Sequence, residues 1–227
     1  MSREGFAGKR ALITHADQFM GPALQDALRL AGSTVIADTR DLSSEADVEA
    51  CVKEAGEPDL VFINLAVDGI GSRGIAEIDE GEWQRVYDRI VHPLHRLVRA
   101  LTPAMIARGS GKLVLLGSSS PLRARTGLTD YNSARAAQLA YVRSAALELA
   151  SHNVQFNAVA QNWIDNPTYF PKSMQEHPKW PKLLAAQVPA ARLGTATESV
   201  ELALYLASPE ADFMVGKVME LDGGWSN

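Results

Sequence analysis

Short apolar runs alternate along this chain with longer stretches whose apolar residues recur every three or four positions, and no other feature constrains the fold as strongly. Runs of four to seven apolar residues read as strands buried on both faces of a parallel sheet, and the longer stretches read as the helices that cover it. Strands are expected at Arg10–Thr14, Thr34–Asp38, Leu60–Asn64, Lys112–Gly117, Val154–Ala160 and Lys217–Leu221. Helices are expected near Gly21–Ala31, Glu45–Ala55, Gly81–Arg108, Thr129–Ser151, Pro181–Gln187 and Thr197–Ala207. The pattern predicts an α/β chain: a Rossmann-like doubly wound parallel sheet of six to seven strands in three α/β/α layers, with residues 1–227 forming one domain.

Both long helices carry the stripe that packs on a sheet. Trp83, Val86, Ile90, Leu94, Leu97 and Leu101 mark one, and Leu139, Val142, Ala146 and Leu149 the other. Pro93 lies inside the first, where the missing N–H predicts a kink or a division. From Asn162 to Pro189 prolines and aromatic residues crowd without period. In a doubly wound fold such an insertion overhangs the ligand crevice at the strand C-termini.

Composition narrows the function classes. With 22 Lys and Arg against 27 Asp and Glu, the net charge of −5 and the lack of a basic block argue against nucleic acid as a partner. One cysteine, Cys51, excludes a disulfide framework or a thiolate metal cage. The N-terminal residues from Met1 to Lys9 lack the apolar core of a signal peptide, and no apolar stretch approaches the ~20 residues of a membrane span. The expected setting is cytoplasmic, with no membrane partner.

The first strand runs into Thr14-His15-Ala16-Asp17-Gln18-Phe19-Met20-Gly21, where a Rossmann-type fold places a glycine-rich turn against a pyrophosphate. Only Gly21 remains, and His15 and Phe19 take the other two glycine positions. Two readings stand for Phe19: it fills the volume a dinucleotide needs, walling off a smaller apolar site, or it packs under the helix as core. Asp38, ending the second strand, sits where a dinucleotide enzyme binds a ribose hydroxyl, and without the glycines it reads as a loop-capping carboxylate.

The fourth strand ends in Gly117-Ser118-Ser119-Ser120, and Tyr131-Asn132-Ser133-Ala134-Arg135 follows thirteen residues after Ser118. The strand end delivers Ser118 to the crevice, and Tyr131 and Arg135 share one face of the next helix. A guanidinium beside a phenol lowers its ionisation from an unperturbed ~10 towards the working pH, making a general base of it. Arginine itself cannot give up its proton, so it polarises without relaying. His92 and His95 flank Pro93 with no third ligand in view, so no metal site is expected.

These motifs together resemble the short-chain dehydrogenase/reductase superfamily over essentially the full length. The resemblance rests on the altered turn at Thr14–Gly21, on Asn64-Leu65-Ala66, on Ser118 and on Tyr131 with its fourth-following basic residue. The tail adds Arg192-Leu193-Gly194, Val215-Gly216-Lys217 and Leu221-Asp222-Gly223-Gly224. Its departures are specific. The superfamily's dehydrogenases carry lysine, which binds the nicotinamide ribose, where this chain has Arg135, and asparagine where it has Ile90. Between Asp38 and Asp59 there is room for one helix, where those dehydrogenases place two helices and a strand beneath the adenosine. Lost glycines, Arg for Lys and an aromatic at position 19 look like halohydrin dehalogenases. Val91-His92-Pro93-Leu94-His95-Arg96 and Phe213-Met214-Val215-Gly216-Lys217 look like their B-type branch.

That resemblance implies conversion of a vicinal halohydrin to an epoxide, a halide and a proton without a cofactor, and the reverse opening of epoxides by azide, cyanide or nitrite. Carried over, Tyr131 removes the hydroxyl proton, Arg135 holds the phenolate and Ser118 donates to the substrate oxygen. The loop Gln161-Asn162-Trp163-Ile164 is placed to offer backbone N–H groups to the leaving halide, with Phe19, Trp163 and Ile164 as apolar walls. Trp163 reads equally as an ordinary loop aromatic. Ser120, Tyr169 and Phe170 are expected around the substrate, the two aromatics either as a lid or as packing for the insertion. The superfamily also implies a homotetramer built on the long helices. The rival readings are an NAD(P)-dependent oxidoreductase with a degenerate turn and a non-catalytic member that keeps the fold for binding or assembly, with Tyr131 and Arg135 as relics.

Overall fold

A computed structural model describes residues 4–227. Of the N-terminal stretch read above, Met1 to Arg3 lie outside the described residues. Six strands, β1 (Arg10–Ile13), β2 (Thr34–Ala37), β3 (Leu60–Ile63), β4 (Gly111–Ser118), β5 (Val154–Gln161) and β6 (Val218–Leu221), form one wholly parallel sheet in the order β2-β1-β3-β4-β5-β6. This is the expected Rossmann-like α/β architecture at the lower end of the predicted strand count.

Helices α1 (Gly21–Leu30), α2 (Glu45–Ala55), α3 (Glu80–Ile90), α4 (His92–Arg108) and α5 (Thr129–Ala150) follow the first four strands. After β5 come α6 (Lys172–Gln175), α7 (Trp180–Gln187) and α8 (Ala196–Ala207). Alternate strand residues feed two cores: Leu12, Val61, Ile63 and Leu115 face α2 to α5, while Ile13, Phe62, Val114 and Leu116 face α1 and α8. A third cluster, Trp163, Trp180, Leu184, Val188 and Trp225, holds the irregular segment after β5 together.

Local chemistry sets the boundaries. Ser44 caps α2 through the Asp47 N–H, Asp79 caps α3 through the Glu82 N–H, and Thr195 with Glu198 closes a capping box on α8. The single long helix expected over Gly81–Arg108 is divided at Val91, and Pro93 lies in the first turn of α4, where its missing N–H costs nothing. Between Ala37 and Leu60 the chain forms α2 alone, so no strand lies outside β2. Among the described residues no helix is long and apolar enough to cross a membrane.

Candidate active site

The strand order reverses between β1 and β3, and the crevice at such a reversal, beyond the strand C-termini, is where doubly wound sheets bind ligands. The turn after β1 lies there. His15 and Phe19 both have left-handed backbones, φ 43° and 50°, the region in which glycine carries no steric cost. Asn64 braces the turn: its Nδ2 donates to the His15 and Gln18 carbonyls at 3.0 and 2.9 Å, and its Oδ1 accepts from the Met20 N–H. Gly21 is obligatory, because a Cβ there would sit 2.5 Å from the Ala16 carbonyl oxygen.

Two buried side chains fill this turn. Burial, followed by the positive charge of Arg89, lowers the His15 pKa to about 4 against the opposing Asp41, Asp17 and Asp38, so its ring is neutral and Nδ1 accepts from the Ala66 N–H. The Phe19 ring is 5% exposed and meets the Tyr169 ring edge-on at 5.2 Å. Asp38 accepts from the Arg40 N–H and pairs with the Arg40 guanidinium, capping its own loop. His92 pairs with Asp88, and His95 with the Tyr141 hydroxyl.

Beside this turn lies a cavity of about 250 Å³. Ser118, Ser120 and Tyr131 line it together with Asn162, Trp163 and Ile164. Phe19, Tyr169 and Phe170 complete its aromatic part. Arg135 alone of the sequence-predicted site residues is set back from the cavity, wholly buried behind the tyrosines. Register explains the meeting of two loops: Ser118 pairs with Gln161 at the end of the β4–β5 ladder, so the serine and the segment after β5 emerge side by side. Ser118 Oγ accepts from the Ser120 N–H at 3.1 Å, and Ser120 Oγ hydrogen-bonds Asn132 Oδ1 at 2.6 Å.

Arg135 organises the floor. Its Nη1 donates to Gln138 Oε1 at 2.9 Å, and its Nη2 to the Tyr169 hydroxyl at 3.0 Å and the Leu65 carbonyl at 3.2 Å. Its guanidinium carbon lies 5.1 Å from the centre of the Tyr131 ring. Among the described residues no carboxylate pairs with it. Burial opposes its charge, but the Tyr131 and Tyr169 oxygens outweigh that and raise its pKa. Tyr169 is itself pushed up, first by burial and then by Tyr131, so its hydroxyl stays protonated while accepting from Arg135 and the Val67 N–H.

The N–H groups of the segment after β5 are unequally free. The Asn162 N–H donates to the Leu221 carbonyl and the Trp163 N–H to Asn162 Oδ1, with Trp163 left-handed at φ 55°. The Ile164 N–H has no acceptor among the described residues, and neither do the buried Gln161 Nε2 and Trp163 Nε1. The donors left without an acceptor are thus one backbone amide and two buried side-chain nitrogens, rather than a nest of consecutive amides. Gln138 and Arg125, which also lines the cavity, are site residues that sequence reading missed, and Gln161 was expected there for its backbone rather than its side chain. Gln138 had a signal, since it follows Arg135 by one helical turn; Arg125 lies in a loop without period.

These residues do not fit a nicotinamide dinucleotide. Side chains stand at two glycine positions of the phosphate turn, and the basic group of the tyrosine motif is spent on Tyr169, Gln138 and Leu65.

A family model described as enoyl-(acyl carrier protein) reductase matches residues 7–226. The chain belongs to this family, within the short-chain dehydrogenase/reductase superfamily. A 3-oxoacyl-(acyl-carrier-protein) reductase FabG of Vibrio harveyi is 27% identical over 244 residues, 96% of this chain and 97% of its own length. A galactitol 2-dehydrogenase of Rhizobium johnstonii is 29% identical over 251 residues, 96% and 95% of the two chains. A solved structure described as a dehalogenation enzyme superposes with a TM-score of 0.89 at 27% identity, covering 97% of this chain and 99% of the other. A halohydrin dehalogenase bound to ethyl (2S)-oxiran-2-ylacetate superposes with a TM-score of 0.85 at 25% identity, covering 95% and 96%. The superfamily member thus resembles reductases in sequence and includes dehalogenases among its structural neighbours.

Proposed function

We propose that this protein is a cofactor-independent halohydrin dehalogenase, converting vicinal haloalcohols to epoxides with release of halide and a proton, and opening epoxides in reverse with azide, cyanide or nitrite. The surroundings of Arg135 carry the reading: a wholly buried guanidinium without a carboxylate, set against Tyr131 and held by a tyrosine hydroxyl. Such a cation stabilises negative charge developing beside it, and Tyr131 is the cavity-lining hydroxyl set against it.

In this reading Tyr131 takes the substrate hydroxyl proton while Ser118 Oγ donates to the same oxygen. The oxygen attacks the neighbouring carbon, the carbon–halogen bond breaks, and the electron pair leaves with the halide. Orientation and charge stabilisation suffice for such an intramolecular displacement. Phe19, Trp163 and Ile164 wall the halide seat, and the Ile164 N–H and Gln161 Nε2 offer it donors. Ser120, Asn162, Tyr169 and Phe170 shape the remaining cavity. No metal takes part, and the assembly is a homotetramer, which light scattering checks.

A pH-indicator assay on small chloro- and bromo-alcohols tests the reading, with Tyr131→Phe as control. Halide and proton release in equal amounts, lost in the variant, is expected. Absence of release across a substrate panel sinks it. The sequence relatives favour the second reading, an NAD(P)-dependent oxidoreductase, which requires NADH or NADPH to bind and be oxidised with a carbonyl substrate.

A further inference from the structure

Two arginines of the loop between β4 and α5 have opposite fates. Arg123 donates to the Trp225 carbonyl at 2.6 Å and lies 5.4 Å from the centre of the Trp225 ring, so it serves to tie down the C-terminus. Arg125, two residues on, makes no hydrogen bond, ion pair or ring contact among the described residues, yet it lines the active-site cavity. No Asp or Glu shares that lining, although the chain carries a net charge of −5.

Burial orders the cavity from inside to outside. Trp163 and Ile164, at the deep end, are 5% and 3% exposed, whereas Arg125 is exposed and Ile70 and Leu128 are half-buried. The unpaired cation is therefore the solvent-facing part of the lining, whereas Ser118, Tyr131 and the proposed halide seat are buried. A substrate whose reacting carbons lie beside Ser118 and Tyr131 directs its far end to Arg125. Guanidinium matches a carboxylate with two parallel N–H donors and keeps its charge at any working pH.

We propose that Arg125 forms a second subsite, which binds a carboxylate at the end of the substrate remote from the leaving group. The substrate class becomes short halohydrins, and in reverse short epoxides, that carry an acid function. The proposal rests on the dehalogenase reading for the chemistry but not for the binding.

Two measurements separate these. The first compares kcat/KM for 4-chloro-3-hydroxybutanoate and for its uncharged ethyl ester. The wild type is expected to favour the acid, and Arg125→Gln to lower the acid-to-ester ratio by roughly tenfold, the size of one lost charge-assisted contact. Arg125→Lys should recover part of the ratio. Equal loss on both substrates, or an unchanged ratio, overturns the subsite while leaving the dehalogenase reading intact. The second follows tryptophan fluorescence on titration with butanoate and with neutral butanamide. Butanoate binding that weakens in Arg125→Gln, with no turnover of either halohydrin, upholds the subsite and removes the dehalogenase reading. Equal binding of butanoate by wild type and variant overturns the subsite.

Discussion

The Arg135 guanidinium donates from Nη2 to the Tyr169 hydroxyl at 3.0 Å, joining α5 to a loop residue 34 positions away. The same oxygen accepts from the Val67 N–H in the segment that follows β3. One phenol thus ties three segments together, and its aromatic ring closes the space over Phe19.

Tyr169→Phe should keep that ring contact and strand two donors. Leaving a buried N–H without an acceptor costs about 1–3 kcal/mol, more when the donor is charged. A fall in Tm of roughly 4–8 °C is expected, together with a loss of halohydrin turnover. An unchanged melting curve would show that the hydroxyl does not anchor Arg135.

Gln138 is neutral, so the Arg135 charge is left for the tyrosines. Its Nε2 is held in turn by the Ile90 carbonyl at 2.6 Å, at the end of α3 where the helix breaks before Pro93. Gln138→Glu would give Arg135 a carboxylate partner and withdraw that support from Tyr131. The pH at which activity appears should rise, with the fold retained; an identical pH profile would remove Gln138 from a positioning role.

Phe19→Gly would relieve a left-handed side chain worth about 1 kcal/mol but empty a packed aromatic site, whose truncation costs about 3–5 kcal/mol. Net destabilisation is expected by thermal melting. Calorimetric titration should find no NADH binding in the wild type. NADH binding by the wild type would restore the oxidoreductase reading.

His15 links stability to pH. Unfolded, it binds a proton below about 6.5; folded, it does so only near 4, because burial and then Arg89 disfavour its charge. Between these values the unfolded chain holds more protons, so stability falls as pH drops, by about 3 kcal/mol over the window. His15→Asn, which tolerates the left-handed backbone, should flatten the difference between melts at pH 5 and pH 7.5. A variant with the wild-type pH dependence would assign the acid sensitivity to other groups.

Sequence alone determined the parallel sheet, an interruption of the long helix near Pro93 and the convergence of Ser118 with Tyr131. Each is written in signals that act over a few residues: apolar period, caps, the proline ring and helical spacing. Tertiary structure alone decided which donors stay free. The Asn162 amide looked available until Leu221 took it, and Trp163 gave its amide to the neighbouring side chain. It also decided that Tyr169, rather than solvent, receives the buried arginine, and that Arg125 faces the cavity while Arg123 holds Trp225. These partners lie across irregular loops, where no period encodes direction and packing alone selects which hydrogen bonds form.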